Sequence, residues 1–531
     1  MLLLLWLAVL VAALYLLFKQ AYSRYKNTDV KCSTIVPLFG TIAWILMKKE
    51  HVADFFQRLY STYEGERFYG QYEFLRPIIV LRDIELVKRI AVKEFDSFVD
   101  HKFLADGTVD PIFGRNLVTL KGQEWKDMRA ALSPAFTGSK IKLMIPMMVD
   151  VGNELVQSLK KKIQNTNYNF IDLEGKDLTT RYASDVIASC VFGLKVRFSI
   201  EKDNVFFKMA KEVTNLKLSM LLKIFLFVSL PRLTKLLNIQ FLPKATSQFF
   251  KDIVLNTMRD REENNIVRPD MIHLLMEAKK GRLQHDVNTT TDLDAGFATV
   301  EESAVGKTTA KRDWSNDDLV AQAGVFLLGG FDVVSTAMSF AMHELALNPD
   351  VQEKLAAEIR ENEIKNNGKF DYNSIQQMVY MDMVVSEVLR MWPPSVTLDR
   401  QCTKDFNLGP PNKNSTKDYY IRKGECLMIP VWAIHRDPKY FPNPTKFDPE
   451  RFSEENKHKI IPFSYIPFGM GPRNCVGSRF ALCEVKVLLY QLLQHFQLSL
   501  CEKTCIPVQI DTQSLNFKIK GGHWIRLRIR E

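Results

Sequence analysis

The run Pro467-Phe468-Gly469-Met470-Gly471-Pro472-Arg473-Asn474-Cys475-Val476-Gly477 holds the most distinctive chemistry in the chain. Two glycines and a proline force a tight, irregular loop that ends on a cysteine. An apolar helical pattern, SRFALCEVKVLLYQLLQHF, starts just after it. The spacing therefore predicts Cys475 at a helix N-terminus, where free N–H groups and the dipole favour a thiolate. Such a thiolate is a good axial ligand for haem iron. The plain alternative is a small buried hydrophobe. No second ligand pair lies at zinc spacing.

Other residues pair by helical spacing. Glu387 and Arg390 stand three apart, on one helical face. Trp125 and Arg129 stand four apart, so an indole N–H and a guanidinium share a face. Ser315 precedes Asp318 as an N-cap with its carboxylate partner. The helix it starts should run to about Leu347, before Asn348-Pro349. Gly329 and Gly330 lie mid-helix, each costing about 1 kcal/mol relative to alanine. They predict a kink, or a place where something approaches the backbone closely.

The cysteine run resembles the haem-binding signature of the cytochrome P450 family, Phe-Gly-x-Gly-x-Arg-x-Cys-x-Gly. Phe468, Gly469, Gly471, Arg473, Cys475 and Gly477 match it without a gap. Glu387 and Arg390 match the family's Glu-x-x-Arg, with Arg451 as the downstream partner of a buried, structural network. Trp125 and Arg129 match Trp-x-x-x-Arg. With Arg400 and Arg473 they are implied donors to the haem propionates. The resemblance implies Cys475 as the axial ligand of haem b, with Phe468 packing in the same cofactor loop. It places Phe331, Val396, Thr397 and Leu398 in the substrate pocket. Gly329, Gly330 and Asp332 match the oxygen-binding helix pattern Ala/Gly-Gly-x-Asp/Glu-Thr.

The threonine of that pattern is Val333 here. Valine keeps the shape and loses the hydroxyl that, in the family, helps deliver protons for O–O cleavage. Ser335 is about 200° around the helix, and Thr336 is one turn away. Three readings follow. Asp332 and water deliver the protons; the enzyme leaks NADPH as peroxide; or no dioxygen is used, as in relatives that rearrange or dehydrate peroxides.

Ordinary elements must position these residues. The 531 residues are 46% hydrophobic and 25% charged, as in folded proteins. That excludes a disordered, collagen-like or coiled-coil chain. Apolar residues do not gather into many long runs, which excludes a polytopic membrane protein. Eight cysteines are too few for a disulfide scaffold. The net charge of +10 suits an acidic partner or an anionic membrane surface. Nothing points to nucleic acid.

Met1 to Phe18 carry no charge and make about 27 Å of helix, close to one bilayer core. Lys19, Arg24 and Lys26 follow, which keeps the body cytosolic. Expected boundaries are an anchor at 1–18, a linker at 19–45 and a catalytic domain at 46–531. In that compartment the cysteines stay free thiols, and the sequons at Asn288 and Asn414 stay unmodified. Strands and a turn are expected from Phe74 to Val87, and helices from about 115 to 390. Residues 216–243 are apolar with scattered Lys and Arg, either core helices or a segment dipping into the membrane interface. Residues 281–314 read as a mobile polar loop.

The expected fold class is mainly α with small β-sheets (α+β), a cytochrome P450 fold in one large domain after the anchor. The expected protein is a monooxygenase of the endoplasmic reticulum membrane. It would insert one atom of O2 into lipophilic small molecules, xenobiotic or endogenous. It resembles microsomal insect detoxification enzymes related to the vertebrate drug-metabolising group. The resemblance implies electrons from NADPH through a separate acidic reductase, with cytochrome b5 as a further donor. The chain has no dinucleotide fingerprint of its own. Lys121, Lys126 and Arg129 are the expected basic docking face. The alternatives are a haem-thiolate isomerase or dehydratase acting on peroxides, and a non-catalytic haem protein that binds lipophiles.

Overall fold

The computed structural model describes residues 2–102, 110–194, 204–214, 218–283, 296–305, 314–514 and 517–530. Much of the polar stretch at 281–314, including the Asn288 sequon, lies outside them, as do residues 216 and 217.

Helices dominate the described residues, with small sheets at the rim. The first helix, α1 (Leu2–Ala21), passes the expected stop at Phe18 by one short turn. No part of its apolar stretch is buried against the protein. Residues 22–45, expected as a linker, pack on the body. Tyr25, Val30 and Thr41 are buried, and the Tyr25 hydroxyl donates to the Ile78 carbonyl at 2.8 Å.

One sheet joins the hairpin β1 (Phe68–Glu73) and β2 (Arg76–Leu81) to β3 (Leu398–Gln401) and β4 (Cys426–Ile429). The order is β1-β2-β4-β3, with β2 and β4 parallel. The hairpin starts six residues before the expected Phe74, which instead sits in its turn at φ 56°. Pro77 does not break a strand; it is the second residue of β2, opposite Tyr72. Near a strand start the missing N–H costs little. In β3 the two-residue period puts Leu398 and Arg400 on one face and Asp399 on the other.

Seven helices carry or brace the site. They are α2 (Gly122–Leu132), α3 (Gly138–Gln164), α4 (Gly175–Cys190), α5 (Asn316–Leu328), α6 (Val334–Leu347), α7 (Val379–Met391) and α8 (Ser478–His495). α3, α4, α6 and α8 pack together around the main core. α5 and α6 form one long rod, joined by a wider π turn at Gly329–Val333. The rod begins with a reciprocal cap: Asp318 N–H donates to Ser315 Oγ, and Ser315 N–H donates to Asp318 Oδ2. Such a cap is worth about 0.5–2 kcal/mol. It ends at Leu347, because Asn348 precedes a proline. The rod is as long and apolar as a membrane span, but two-thirds buried, as a core helix should be.

The paired glycines serve different ends. A Cβ on Gly330 would strike the Ile187 side chain of α4, so this glycine allows two helices to close together. A Cβ on Gly329 would meet nothing within 4 Å. Gly330→Ala should therefore cost about 1–3 kcal/mol by overpacking. Gly329→Ala should gain up to about 1 kcal/mol from helix propensity. Thermal melts of the two variants should move in opposite directions.

Candidate active site

The cysteine loop is shaped by Gly469 and Gly471, at φ 75° and 65°. A Cβ on Gly471 would run into the carbonyl of Ala91, so only glycine lets the loop close on the turn at Arg89–Lys93. Cys475 N–H donates to the Phe468 carbonyl at 2.9 Å and ties the loop to itself. α8 begins at Ser478, so Cys475 lies just before the helix. The thiol is exposed just after two buried residues, Arg473 and Asn474, yet protein surrounds it. It therefore lines interior space. Burial pushes the thiol up, while the Gly477 N–H and Arg129 pull it down. Helix-end electrostatics alone do not make the thiolate; a coordinated metal ion would.

Three buried guanidiniums converge beside the loop. Arg473 sits 4.0 Å over the Trp125 ring and donates to the carbonyls of Val99, Leu117 and Leu120. Burial and then Arg400 push Arg473 well below the usual arginine range. Burial brings Arg400 down to about 10. The Arg400 Nε is buried without a partner among the described residues. Next to it His101 Nδ1 lies 3.2 Å from Asp399 Oδ1. Crowded, under-used cations of this kind call for an anionic ligand.

Arg129 is placed otherwise than expected. It donates to the Asn474 carbonyl at 2.7 Å and to Asn474 Oδ1 at 2.6 Å. Its Nε and Nη2 donate to Glu302 at 3.1 and 2.7 Å. Four of five N–H donors are thus committed. Arg129 braces the residue before Cys475 and is 2% exposed, so it is no part of a docking face. Nor is the proposed Lys121 a bare charge: its Nζ donates to Gln401 Oε1 at 2.9 Å.

The Glu387–Arg390 pair is fully buried and bidentate, at 2.6 and 2.8 Å. Arg451 reaches Glu387 at 3.4 Å, and Asp448 N–H donates to the same carboxylate at 2.9 Å. Arg390 donates to the His435 carbonyl at 2.9 Å. His435 Nε2 then accepts from Ile466 N–H at 2.9 Å, one residue before the cysteine run. The network thus holds α7, the segment at 443–452 and the entry to the cysteine loop in one assembly. Burial and Arg390 push His435 down to about 3, so it is neutral. His51 and His343 are each pushed down to about 4 by burial. An unfolded histidine takes its proton near 6.5, while these folded ones refuse it. Their stabilising contribution is whole above pH 6.5 and is lost as pH falls toward 4. Glu344, raised to about 7 by burial, has the opposite sign and loses stability as pH rises through 7. Burial pushes His101, His495 and His523 down as well, and it raises Asp54, Glu358 and Glu484 beside Glu344. With six histidines against four acids, the melting temperature should fall between pH 6.5 and 5.5, before most carboxylates titrate.

The π turn presents Gly329 and Val333 to open space, one turn apart, Val333 being 43% exposed. Both hydroxyls beyond it point elsewhere. Ser335 Oγ donates to the Phe331 carbonyl at 2.6 Å, and Thr336 Oγ1 to the Asp332 carbonyl at 2.7 Å. Both accept from Lys176 Nζ of α4, which also lies 3.2 Å from Asp332 Oδ1. Phe331, expected to line the pocket, is 1% exposed and packs toward Phe207 at 5.9 Å. Val396 is buried, and Thr397 and Leu398 are half-buried; Leu398 lies against the Gly469 turn of the cysteine loop. The C-terminal part of α5 and the cysteine loop are bridged by Phe136, which packs on Gly477 and meets Phe326 edge-on at 5.2 Å. Nothing in the sequence singled out Phe136, Lys176, His435 or Glu302, because each acts through a partner remote in the chain.

An accessible thiol on a glycine-shaped loop, buried arginines with spare donors and a widened helix turn beside them make a site for an anionic, metal-bearing macrocycle. The fit to haem rests on the donors themselves: one soft sulfur for iron, and the orphaned Arg400 Nε with Arg473 for carboxylates. The cytochrome P450 family model matches residues 30–526. The chain is 42% identical to cytochrome P450 9e2 of Blattella germanica, over 99% of this chain and 97% of that one. It is 38% identical to probable cytochrome P450 9f2 of Drosophila melanogaster, over 98% of each. It is 37% identical to probable cytochrome P450 6a13 of the same species, over 97% of this chain and 96% of that one. The chain belongs to the cytochrome P450 family and is a haem monooxygenase. Its family carries cysteine-ligated haem and draws electrons from a separate NADPH-dependent reductase.

Proposed function

We propose that this chain is a membrane-anchored monooxygenase of lipophilic small molecules, with Cys475 as the iron ligand. The observation that carries it is the accessible Cys475 thiol beside three buried guanidiniums. Arg400 and Arg473 would hold the carboxylates, with Trp125 under Arg473 and Arg129 bracing Asn474. Haem supplies activation of dioxygen, which no side chain provides. The protein supplies orientation, an apolar pocket and protons. Lys176 fixes Asp332 at the π turn, and Val333 offers no proton there, so water ordered by Asp332 is the donor. In wild type, product formed should track NADPH used. Val333→Thr should change that ratio by less than about threefold. If wild-type NADPH goes mainly to peroxide and threonine restores product, the water relay is wrong.

Val333 also favours one second reading, an isomerase or dehydratase of peroxides. Turnover of a lipid peroxide without NADPH or reductase would establish it.

The gathering of apolar surface on one side supports a membrane position. Leu222, Leu230, Leu233, Leu236 and Leu237 are exposed on the helices Leu218–Ser229 and Pro231–Leu236 and the residue after them. Phe225 meets Phe74 of the β1–β2 turn at 5.0 Å. That hairpin also packs on Tyr22 and Tyr25, just past α1. Exposed Leu38, Trp44 and Met47 lie on the same stretch. Anchor end, hairpin and apolar helices therefore share one side, suited to the endoplasmic reticulum membrane with the body cytosolic. The acidic reductase would dock on exposed Arg89 and Lys93 with Lys126, near the Ala91 turn that touches the cysteine loop. Substrates would be xenobiotic or endogenous lipophiles, and cytochrome b5 a second donor. Leu236→Asp with Leu237→Asp should weaken binding of the body, freed of residues 1–21, to phospholipid vesicles; unchanged sedimentation with vesicles would refute this face.

A further inference from the structure

The segment 296–305 is docked on the back of the cysteine loop. Phe297 packs against Phe452 at 5.1 Å and Tyr465 at 5.5 Å, and its N–H donates to Asp382 Oδ2 at 2.8 Å. Ala298 is 4% exposed. Asn474 Nδ2 donates to the Glu301 carbonyl at 2.8 Å. The Glu302 carboxylate then takes two bonds from Arg129, at 3.1 and 2.7 Å, with 17% and 3% of the two side chains exposed. A shielded, bidentate pair of this kind is among the stronger polar contacts.

The consequence lies one residue further on. The same guanidinium holds both the carbonyl and the side chain of Asn474, the residue before Cys475. Glu302 thus uses two donors of Arg129, leaves two for Asn474, and balances its charge. Without Glu302 the guanidinium is buried, uncompensated and free to turn toward another anion.

We propose that Glu302 is a positioning residue for the thiolate site: it locks Arg129 onto Asn474, and through that residue sets the backbone and the charge felt at the Cys475 sulfur. This rests on Cys475 being the iron ligand. Losing the negative charge leaves Arg129 in excess near the iron, which favours the reduced state.

The experiment uses the full-length haem protein in wild-type form and as Glu302→Gln, Glu302→Ala and Glu301→Gln. Glu301 is an exposed neighbour whose carbonyl alone takes part, so its variant is the charge-matched control. The readouts are the absorption band of the ferrous carbonyl complex, its decay to the form lacking thiolate, and the midpoint potential. The expected result is a more positive potential and several-fold faster decay for both Glu302 variants, with Glu301→Gln like wild type. Glu302 variants matching wild type in both, or Glu301→Gln shifting as far as they do, would overturn the proposal. A wild-type protein that lacks the thiolate band would instead overturn the ligand assignment.

Discussion

Replacing Cys475 by serine should abolish the thiolate signature of the ferrous carbonyl complex and lower monooxygenase turnover by at least about 10³-fold. Serine keeps the size of the side chain and the bond from the backbone N–H to the Phe468 carbonyl, so the loop should still close. What it loses is the soft, electron-rich ligand. The result should be a folded protein with weakened haem retention and no push on O–O cleavage. Thermal unfolding separates this from misfolding: the protein without haem should melt within a few degrees of wild type. Retained turnover would show that another group ligates the iron. Among the described residues no group of three or more cysteine, histidine, aspartate or glutamate side chains is placed to hold a metal.

The second large effect concerns stability. Glu387→Ala should cost about 3–5 kcal/mol, because it strands the fully buried Arg390 and removes the acceptor of Arg451. That is a large part of the 5–15 kcal/mol typical of a domain. The network also runs through His435 to Ile466, so the cysteine loop should loosen with it. Little haem-bound protein should be recovered, and the melting temperature should drop sharply. Arg451→Lys is the control. Its contact is 3.4 Å long and its side chain 13% exposed, so the loss should be about 1 kcal/mol. Equal losses in the two variants would refute a network centred on Glu387.

Much of this site was legible because its parts are local. The cysteine loop needs glycines at two left-handed positions, and a glycine pattern survives in any reading of the chain. Glu387 and Arg390 are one turn apart, so spacing alone faces them together. The capped start of α5 is written in four consecutive residues. Contacts between remote segments were not legible. Arg129 looked like a carboxylate donor and a docking charge, since nothing around it announces Asn474 or Glu302, 345 and 173 residues away. Phe331 looked like a pocket residue, but the π turn shifts the helical phase and turns it onto Phe207. Residues 296–305 looked like mobile polar chain, because the aromatic box that receives Phe297 comes from segments 155 or more residues later. The hairpin starts before the expected Phe74 because Phe74 forms its turn, at a left-handed φ that nothing in the local sequence announces.

The most direct test is turnover of a lipophilic substrate by the full chain with its reductase, NADPH and isotopically labelled dioxygen. One labelled oxygen atom should enter the product, about one NADPH should be consumed per product, and turnover should stop when NADPH is withheld. Product formed from a peroxide without NADPH, or carrying no label from dioxygen, would contradict the monooxygenase assignment.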